Sequence, residues 1–147
     1  MDNIALLLNV FFFQGLDPDE LLAIMALTRR QRYGMGQRIC ATGDPGDYLF
    51  IVKSGSVMVK NGAVVLATLG VGDTFGEMSF VDRTTRSATV AAIEETELLQ
   101  IPFTALEQLL ASQPVMAAKI YRTLASVLSQ RLRTMSEMVG TRYQPVK

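Results

Sequence analysis

The sequence contains no histidine among its 147 residues. Histidine supplies the commonest zinc and iron ligands, the base of Ser-His-Asp triads and the commonest general acid or base. Its absence argues against most metal-dependent and hydrolytic chemistries. We therefore predict no catalytic residue, no metal site and no cofactor, and we expect a protein that is not an enzyme.

Cysteine and long hydrophobic runs are also scarce. The single cysteine, Cys40, cannot form a disulfide within the chain, which suggests a reducing compartment, and we expect it to be a small buried strand residue. The N-terminal run IALLLNVFFF has about ten residues, whereas a bilayer span needs about 20, and it lacks the basic segment of a signal peptide. We expect a cytoplasmic protein without a membrane segment, in which this run forms a helix that packs through one face (Ile4, Leu7, Leu8, Phe11 and Phe12).

What the sequence does contain is typical of a single globular domain over residues 1–147, with 49% apolar and 19% charged residues. The formal net charge is zero but unevenly distributed. Residues 1–114 carry 8 basic and 13 acidic groups, and residues 115–147 carry 6 basic groups and 1 acidic group. The basic end fits a solvated helix face better than a surface for nucleic acid or another acidic partner.

Local patterns divide the chain into helices, strands and helices. Asp17, Pro18 and Glu20 form a capping box with proline at the first helical position, which predicts a helix from about residue 17 to 29. At least six short runs rich in valine, isoleucine and aromatics follow between about residues 31 and 102, with a type I′ hairpin at Asn61-Gly62. Their spacing favours a sandwich, barrel or roll. Helices complete the chain over residues 103–140, beginning with a Thr104/Glu107 capping box.

The last of these helices has an apolar stripe about six turns long. Its members recur at spacings of three and four residues: Ala117, Tyr121, Leu124, Leu128, Leu132, Met135 and Val139. A terminal helix can bury part of such a stripe against its own domain. We expect the remainder, within residues 115–139, to form the seam of a homodimer, with a wholly intramolecular stripe as the alternative.

The segment TFGEMSFVDRTTRSATV contains Gly76, Glu77 and Arg86, and Gly70 and Gly72 precede it. Glycine lets the backbone approach a ligand closely, and the guanidinium of Arg86 offers a fork of donors to phosphate oxygens. Glu77 would repel a phosphate but could accept a hydrogen bond from a sugar hydroxyl. The spacing alone favours a ligand with phosphate and hydroxyl groups no more strongly than a surface ion pair between Glu77 and Arg86.

A resemblance changes that balance. GVGDTFGEMSFVDRTTRSATV resembles the phosphate-binding cassette of the cyclic nucleotide-binding domain family, placed here at residues 72–90. GQRICATGDPGDYLFIVKSGSVMV resembles the first strands of that family, including a turn at Gly43 and Asp44 and a glycine at Gly55. The resemblance extends over about residues 5–139 and implies a mainly β fold, an antiparallel β-roll of the jelly-roll type between N-terminal helices and a long C-terminal helix.

The resemblance also implies a site. Glu77 would accept a hydrogen bond from the ribose 2′-hydroxyl and Arg86 would pair with the cyclic phosphate. Neighbouring groups would complete the cradle, and weaker candidates would contact the purine. The predicted phosphate and ribose site is Gly76, Glu77, Met78, Ser79, Arg86 and Ser87, and the predicted purine contacts are Val52, Leu66, Leu69 and Ser136.

Several features of the sequence leave the ligand and output open. Thr85 stands where many members of the family have proline, and Ser87 fits readers of either cyclic AMP or cyclic GMP. QRLRTMSEMVG resembles the long dimer helix of the catabolite activator family, in which Ser136 would reach a base across the dimer. Only TRYQPVK follows, too short for the helix-turn-helix of that family, so we expect no direct DNA reading by this chain.

Three functions follow from these patterns. The first is a sensor of cyclic AMP, or less favourably cyclic GMP, that signals to an unknown protein effector by rearranging its C-terminal helix. The second is a dimerisation or interaction scaffold of the same fold that binds no ligand. The third is a β-barrel enzyme of the cupin type, which the lack of histidine makes the least favoured.

Overall fold

A computed structural model describes residues 2–82 and 85–142, with the backbone alone at residues 78, 81, 82, 141 and 142. Two N-terminal helices, α1 (Asn3–Asn9) and α2 (Pro18–Met25), are separated by a 3-10 turn at Phe11–Phe13. The capping box of α2 is confirmed. Asp17 Oδ1 accepts a hydrogen bond from Glu20 N at 2.8 Å, and Glu20 Oε1 accepts one from Asp17 N at 2.9 Å.

The N-terminal run differs from the prediction of one amphipathic helix. Helix α1 stops at Asn9 because Val10 is extended, with ψ 121°, and the helical periodicity restarts in the 3-10 turn. Leu6 therefore takes a core position and Leu8, predicted to be in the packed face, is exposed. Helix α2 also ends earlier than predicted, since the chain enters a strand at Arg29.

Within residues 2–82 and 85–142, eight strands form two antiparallel four-stranded sheets. The first sheet has the order β1-β8-β3-β6 and the second β2-β7-β4-β5. Helices flank the sheets on both sides in sequence, so the expected β-roll with N-terminal helices and a long C-terminal helix is confirmed. The strands are β1 (Arg29–Tyr33), β2 (Arg38–Cys40), β3 (Tyr48–Ser54), β4 (Val57–Asn61), β5 (Val64–Leu69), β6 (Thr74–Phe75), β7 (Thr89–Ala92) and β8 (Thr96–Pro102).

The hairpin between β4 and β5 turns one residue later than predicted. Asn61 pairs with Val64, so the two central residues are Gly62 and Ala63 rather than Asn61 and Gly62. Gly62 has φ 61°, the left-handed conformation that glycine adopts without strain. The pairing of β4 with β5 also shifts register between Val59 and Lys60, close to this turn.

The first sheet is the middle layer of the molecule. Side chains alternate along a strand, so β3 sends Leu49 and Ile51 toward the helices and Phe50 and Val52 toward the second sheet. Strand β8 divides in the same way, with Leu99 on the helical side. One core cluster therefore lies between the helices and the first sheet, and another lies between the two sheets.

The chain continues directly from β8 into α4 (Phe103–Ser112) and then α5 (Pro114–Arg142). The predicted Thr104/Glu107 capping box is wrong, because the N-cap lies two residues earlier, at Pro102, and has no side-chain cap. Phe103 N donates instead to Asp47 O at 2.9 Å, which ties the helix start to the segment before β3.

The first part of helix α5 packs against the domain, and the apolar side chains of its second part are exposed to solvent. Met116, Ile120 and Leu124 are buried against the helical core, and Ala117 packs beside them. Beyond Leu124 the large members of the stripe are exposed, namely Leu128, Leu132, Met135 and Val139. Tyr121, before Leu124, is 46% exposed and stacks on Phe80. Within residues 2–82 and 85–142, no helix is both long and apolar enough to cross a membrane.

Candidate anion-binding site

A tight turn holds the backbone of Arg86 at the edge of the roll. Asp44 O accepts a hydrogen bond from Arg86 N at 2.8 Å, and Arg86 O accepts one from Gly43 N at 2.9 Å. The turn closes on itself, since Asp44 Oδ2 accepts from Ala41 N at 2.9 Å and Asp44 N donates to Ala41 O at 3.0 Å. Gly43 takes φ 89°, which permits the reversal. The Gly43-Asp44 turn is thus a clamp on the arginine.

The side chain of Arg86 is buried, with 6% of the residue exposed. Nη2 donates to the Tyr48 carbonyl, and the guanidinium carbon lies 5.6 Å from the centre of the Phe50 ring. Nε and Nη1 have no hydrogen-bond partner among the described residues. A buried cation with unpaired donors is costly, because desolvation is not compensated. The arrangement is suited to an anion that accepts from those two nitrogens.

The charges around Arg86 do not cancel the effect of burial. Burial lowers the pKa of Arg86 from its ordinary value, while Cys40, Asp47, Glu77 and Asp44 act in the opposite direction. None of these carboxylates forms an ion pair with Arg86 in the described part of the chain. The guanidinium therefore keeps its positive charge available to a ligand, since arginine stays protonated at neutral pH.

Gly76 makes room for the arginine. Its φ is 93°, and a Cβ built on it would collide with Arg86 Nη1 and lie 2.7 Å from Tyr48 O. Both the backbone conformation and the close approach require glycine here. The position of the guanidinium thus requires glycine at residue 76, directly before helix α3 (Glu77–Asp82).

The guanidinium faces a cavity of about 150 Å³. Residues from β2, β4, β6, α3 and the segment entering β7 surround it, which joins both sheets around one opening. Ser79 is buried at its wall and Glu77 is half-buried. The lining residues are Cys40, Val59, Thr74, Phe75, Gly76, Glu77, Ser79, Arg86, Ser87, Ala88 and Val90.

Five of the six residues predicted for phosphate and ribose binding line this cavity: Gly76, Glu77, Ser79, Arg86 and Ser87. Met78 follows Glu77 in α3, but its side chain lies outside the described part of the chain. The structure thus brings these residues together, and their contacts with a ligand stay predictions.

None of the residues predicted to contact the purine lines the cavity. Val52 is fully buried between the sheets, Leu69 packs against the same core, and Leu66 is 56% exposed on β5. Ser136 is exposed on the far half of α5. A purine that contacted any of them would have to extend beyond this cavity. These four roles stay predictions.

Sequence reasoning missed the apolar wall of the cavity, formed by Cys40, Val59, Ala88 and Val90. The alternation of β4 was the available signal, because Val59 lies two residues after the buried Val57 and shares its face. Cys40 was predicted to be a buried strand residue, which is confirmed. That it also faces the cavity depends on the pairing of β2 with β7, which no local pattern reveals.

An antiparallel roll that holds a buried arginine with unpaired donors against a small cavity is a domain suited to binding a small anionic ligand. Comparison with known proteins names the family. The profile of the cyclic nucleotide-binding domain matches residues 30–113, and the chain belongs to that family.

Relatives of the chain occur in proteins of different kinds. The chain is 42% identical over 118 residues to glutaminase 2 of Bradyrhizobium diazoefficiens, a match that covers 80% of this chain and 19% of the relative. It is 36% identical over 126 residues to the cyclic AMP receptor protein of Thermus thermophilus, covering 82% and 56%. The chain therefore spans less than two thirds of either relative.

A solved structure of similar fold is the N-terminal domain of a transcriptional regulator from Streptomyces coelicolor. It superposes with a TM-score of 0.80 at 27% identity, covering 88% of this chain and 94% of the solved one. The fold and family are thereby shown, whereas the relatives' activities belong to those proteins.

Proposed function

We propose that this chain is a regulatory module that binds a cyclic nucleotide, with cyclic AMP as the preferred ligand and cyclic GMP as the alternative. The observation that carries the proposal is the pair of unpaired donors on buried Arg86, Nε and Nη1, beside the cavity. A cyclic phosphate carries one negative charge and oxygen acceptors that match such donors.

The half-buried carboxylate of Glu77 supports a ligand that carries a ribose as well as a phosphate. A carboxylate accepts hydrogen bonds only, so beside a phosphate it is suited to a ribose hydroxyl rather than to phosphate oxygens. The hydroxyls of Ser79 and Ser87 lie on the same cavity and would donate to the remaining oxygens. The similarity to a cyclic AMP receptor protein supports cyclic AMP over cyclic GMP as the first nucleotide to test.

The signal of ligand binding is passed on by a change in the packing of α5, and no chemical reaction is involved. Its first half packs on the helical core while its second half presents an apolar stripe to solvent. We assign the stripe to a second copy of this chain, so that the ligand would change how the two helices pack. A ligand shifts such an equilibrium only by its difference in affinity for the two arrangements. The protein effector that reads the change is a partner outside this chain.

Calorimetric titration with cyclic AMP and cyclic GMP tests the proposal. We expect saturable binding that Arg86→Gln weakens by at least about 100-fold, since each charge-assisted hydrogen bond contributes about 1.5–3 kcal/mol. The matched control is Arg38→Gln, an exposed arginine on β2, which should bind as the parent chain does. Undiminished binding by Arg86→Gln, or no heat and no thermal stabilisation of the parent chain by either nucleotide, would contradict the proposal.

A further inference from the structure

The one cysteine of the sequence lines the proposed anion cavity. Cys40 ends β2, where its pairing with β7 shifts register between Arg38 and Cys40 and places Cys40 opposite Val90. Its residue is 9% exposed, and its side chain is among those that face the cavity. The thiol is thus held by the packing between the sheets, but one side of it borders a space that opens to solvent.

The guanidinium of Arg86, which lines the same cavity, is a separate observation. Arg86 is 94% buried, and two of its nitrogens lack partners among the described residues while lining the same cavity. Cys40 and Arg86 are close enough for their charges to interact, which favours the thiolate, although burial has the larger effect and raises the pKa of Cys40. An anionic reagent that enters would therefore meet both the arginine and the sulfur.

We propose that Cys40 is a modifiable thiol of this cavity, which takes a small anionic thiol-reactive group whose charge lies on Arg86. The natural reagent class is a small disulfide that bears a sulfonate, carboxylate or phosphate. The attached group would lie in the cavity of about 150 Å³ that Arg86 lines.

The reaction is an exchange that needs no further oxidant. The Cys40 thiol gives its proton to solvent, and the thiolate attacks one sulfur of the reagent to form a new disulfide bond. The old disulfide bond breaks, and its second sulfur leaves as a thiolate that takes up a proton. A reducing thiol reverses the exchange, so the modification is a switch rather than a permanent loss.

Modification and nucleotide binding exclude each other, a consequence that rests on the proposed function. A cyclic phosphate on Arg86 would occupy the space that the attached anion needs. The attached anion would satisfy the same nitrogens and leave no cation for the phosphate. The module would then respond to the thiol state of its surroundings as well as to its ligand.

Two methanethiosulfonates of similar size and opposite charge test the proposal, namely the 2-sulfonatoethyl and the 2-(trimethylammonium)ethyl reagents. Mass spectrometry gives the rate of single modification of the native chain, divided by the rate for the urea-unfolded chain to remove intrinsic reactivity. We expect the normalised rate to be at least about 10-fold higher for the anionic reagent. Inorganic phosphate in excess should slow the anionic reagent, and Cys40→Ser should show no modification.

Equal normalised rates, or no reaction of the native chain with the anionic reagent, would overturn the proposal. Arg86→Gln should abolish the preference for the anion, and the phosphate competition gives the same information if that variant does not fold. Calorimetry of the sulfonate-modified chain completes the test. Retained cyclic nucleotide binding after modification would overturn the exclusion, whereas failure of the unmodified chain to bind would overturn the proposed function and leave the charge preference to decide the thiol site.

Discussion

At the scale of single residues, two glycines with the same backbone conformation have different surroundings. Gly72 has φ 89° and no atom near the position of a Cβ, whereas Gly76 has φ 93° and Arg86 and Tyr48 occupy that position. A side chain at either residue strains the backbone, because L-residues rarely adopt this region. Only at Gly76 would the added carbon also displace the guanidinium.

We expect Gly76→Ala to lose both stability and ligand affinity. The backbone strain costs about 1–2 kcal/mol of unfolding free energy, and movement of Arg86 should abolish measurable cyclic nucleotide binding. Urea unfolding gives the first quantity and calorimetry the second. Gly72→Ala is the control, which should lose only the stability that the backbone strain costs and keep its affinity. Equal affinities of the two variants would show that the position of Gly76 does not set that of Arg86.

At the scale of elements, two aspartates in the described part of the chain close turns in the same way. In one, Asp44 Oδ2 accepts from Ala41 N at 2.9 Å, and in the other Asp73 Oδ2 accepts from Gly70 N at 2.9 Å. Both close over three residues with a reciprocal backbone hydrogen bond of 3.0 Å. The first turn holds Arg86, whereas the second holds Val52 in the core through Asp73 O.

We expect Asp44→Ala and Asp73→Ala each to lower the unfolding free energy by about 1 kcal/mol, the contribution of one hydrogen bond. Only Asp44→Ala should weaken nucleotide binding, by about 3- to 10-fold, because its turn sets the backbone of Arg86. Parallel urea unfolding and calorimetry of the two variants would separate the effects. A matching loss of affinity in Asp73→Ala would mean that general loosening of the roll, and not the clamp, governs binding.

These elements also show which parts of the structure the sequence can predict. The short runs rich in valine, isoleucine and aromatics and the Asp17 capping box depend on neighbours a few residues apart, and they appear as strands and as a capped helix, as expected. The break at Val10, which is buried in the helical core, and the register of the β4–β5 hairpin are not evident from the residue types at those positions.

The residues of the site also separate into those that a local motif predicts and those that depend on strand pairing. Glu77 and Arg86 were found because nearby residues form a recognisable motif, and the structure places both at the cavity. Val52 was chosen for the purine from a strand whose two faces are both buried, so that its hydrophobicity could not tell the core from a ligand site. Cys40 and Val59 reach the cavity only through the pairing of the second sheet.

At the scale of the whole molecule, the second half of α5 carries a row of exposed apolar side chains. Leu128, Leu132, Met135 and Val139 follow a spacing of three and four residues, so they share one side of the helix. Soluble monomers rarely expose a continuous apolar stripe of this kind. A second copy of α5 would cover it along the same spacing.

We expect the chain to sediment as a dimer of twice its 16.1 kDa, and Leu132→Glu to convert it into a monomer. Leu132 is 64% exposed, so a glutamate there costs the isolated domain little, whereas in a dimer seam it would place two carboxylates near each other in an apolar environment. The matched control is Leu22→Glu, an exposed leucine on α2 that lies outside the stripe and should leave the dimer intact. Sedimentation equilibrium at micromolar concentrations, with and without cyclic AMP, measures both variants against the parent chain. A parent chain that stays monomeric under both conditions would assign the stripe to another partner, and a dimer that survives Leu132→Glu would place the interface elsewhere on the domain.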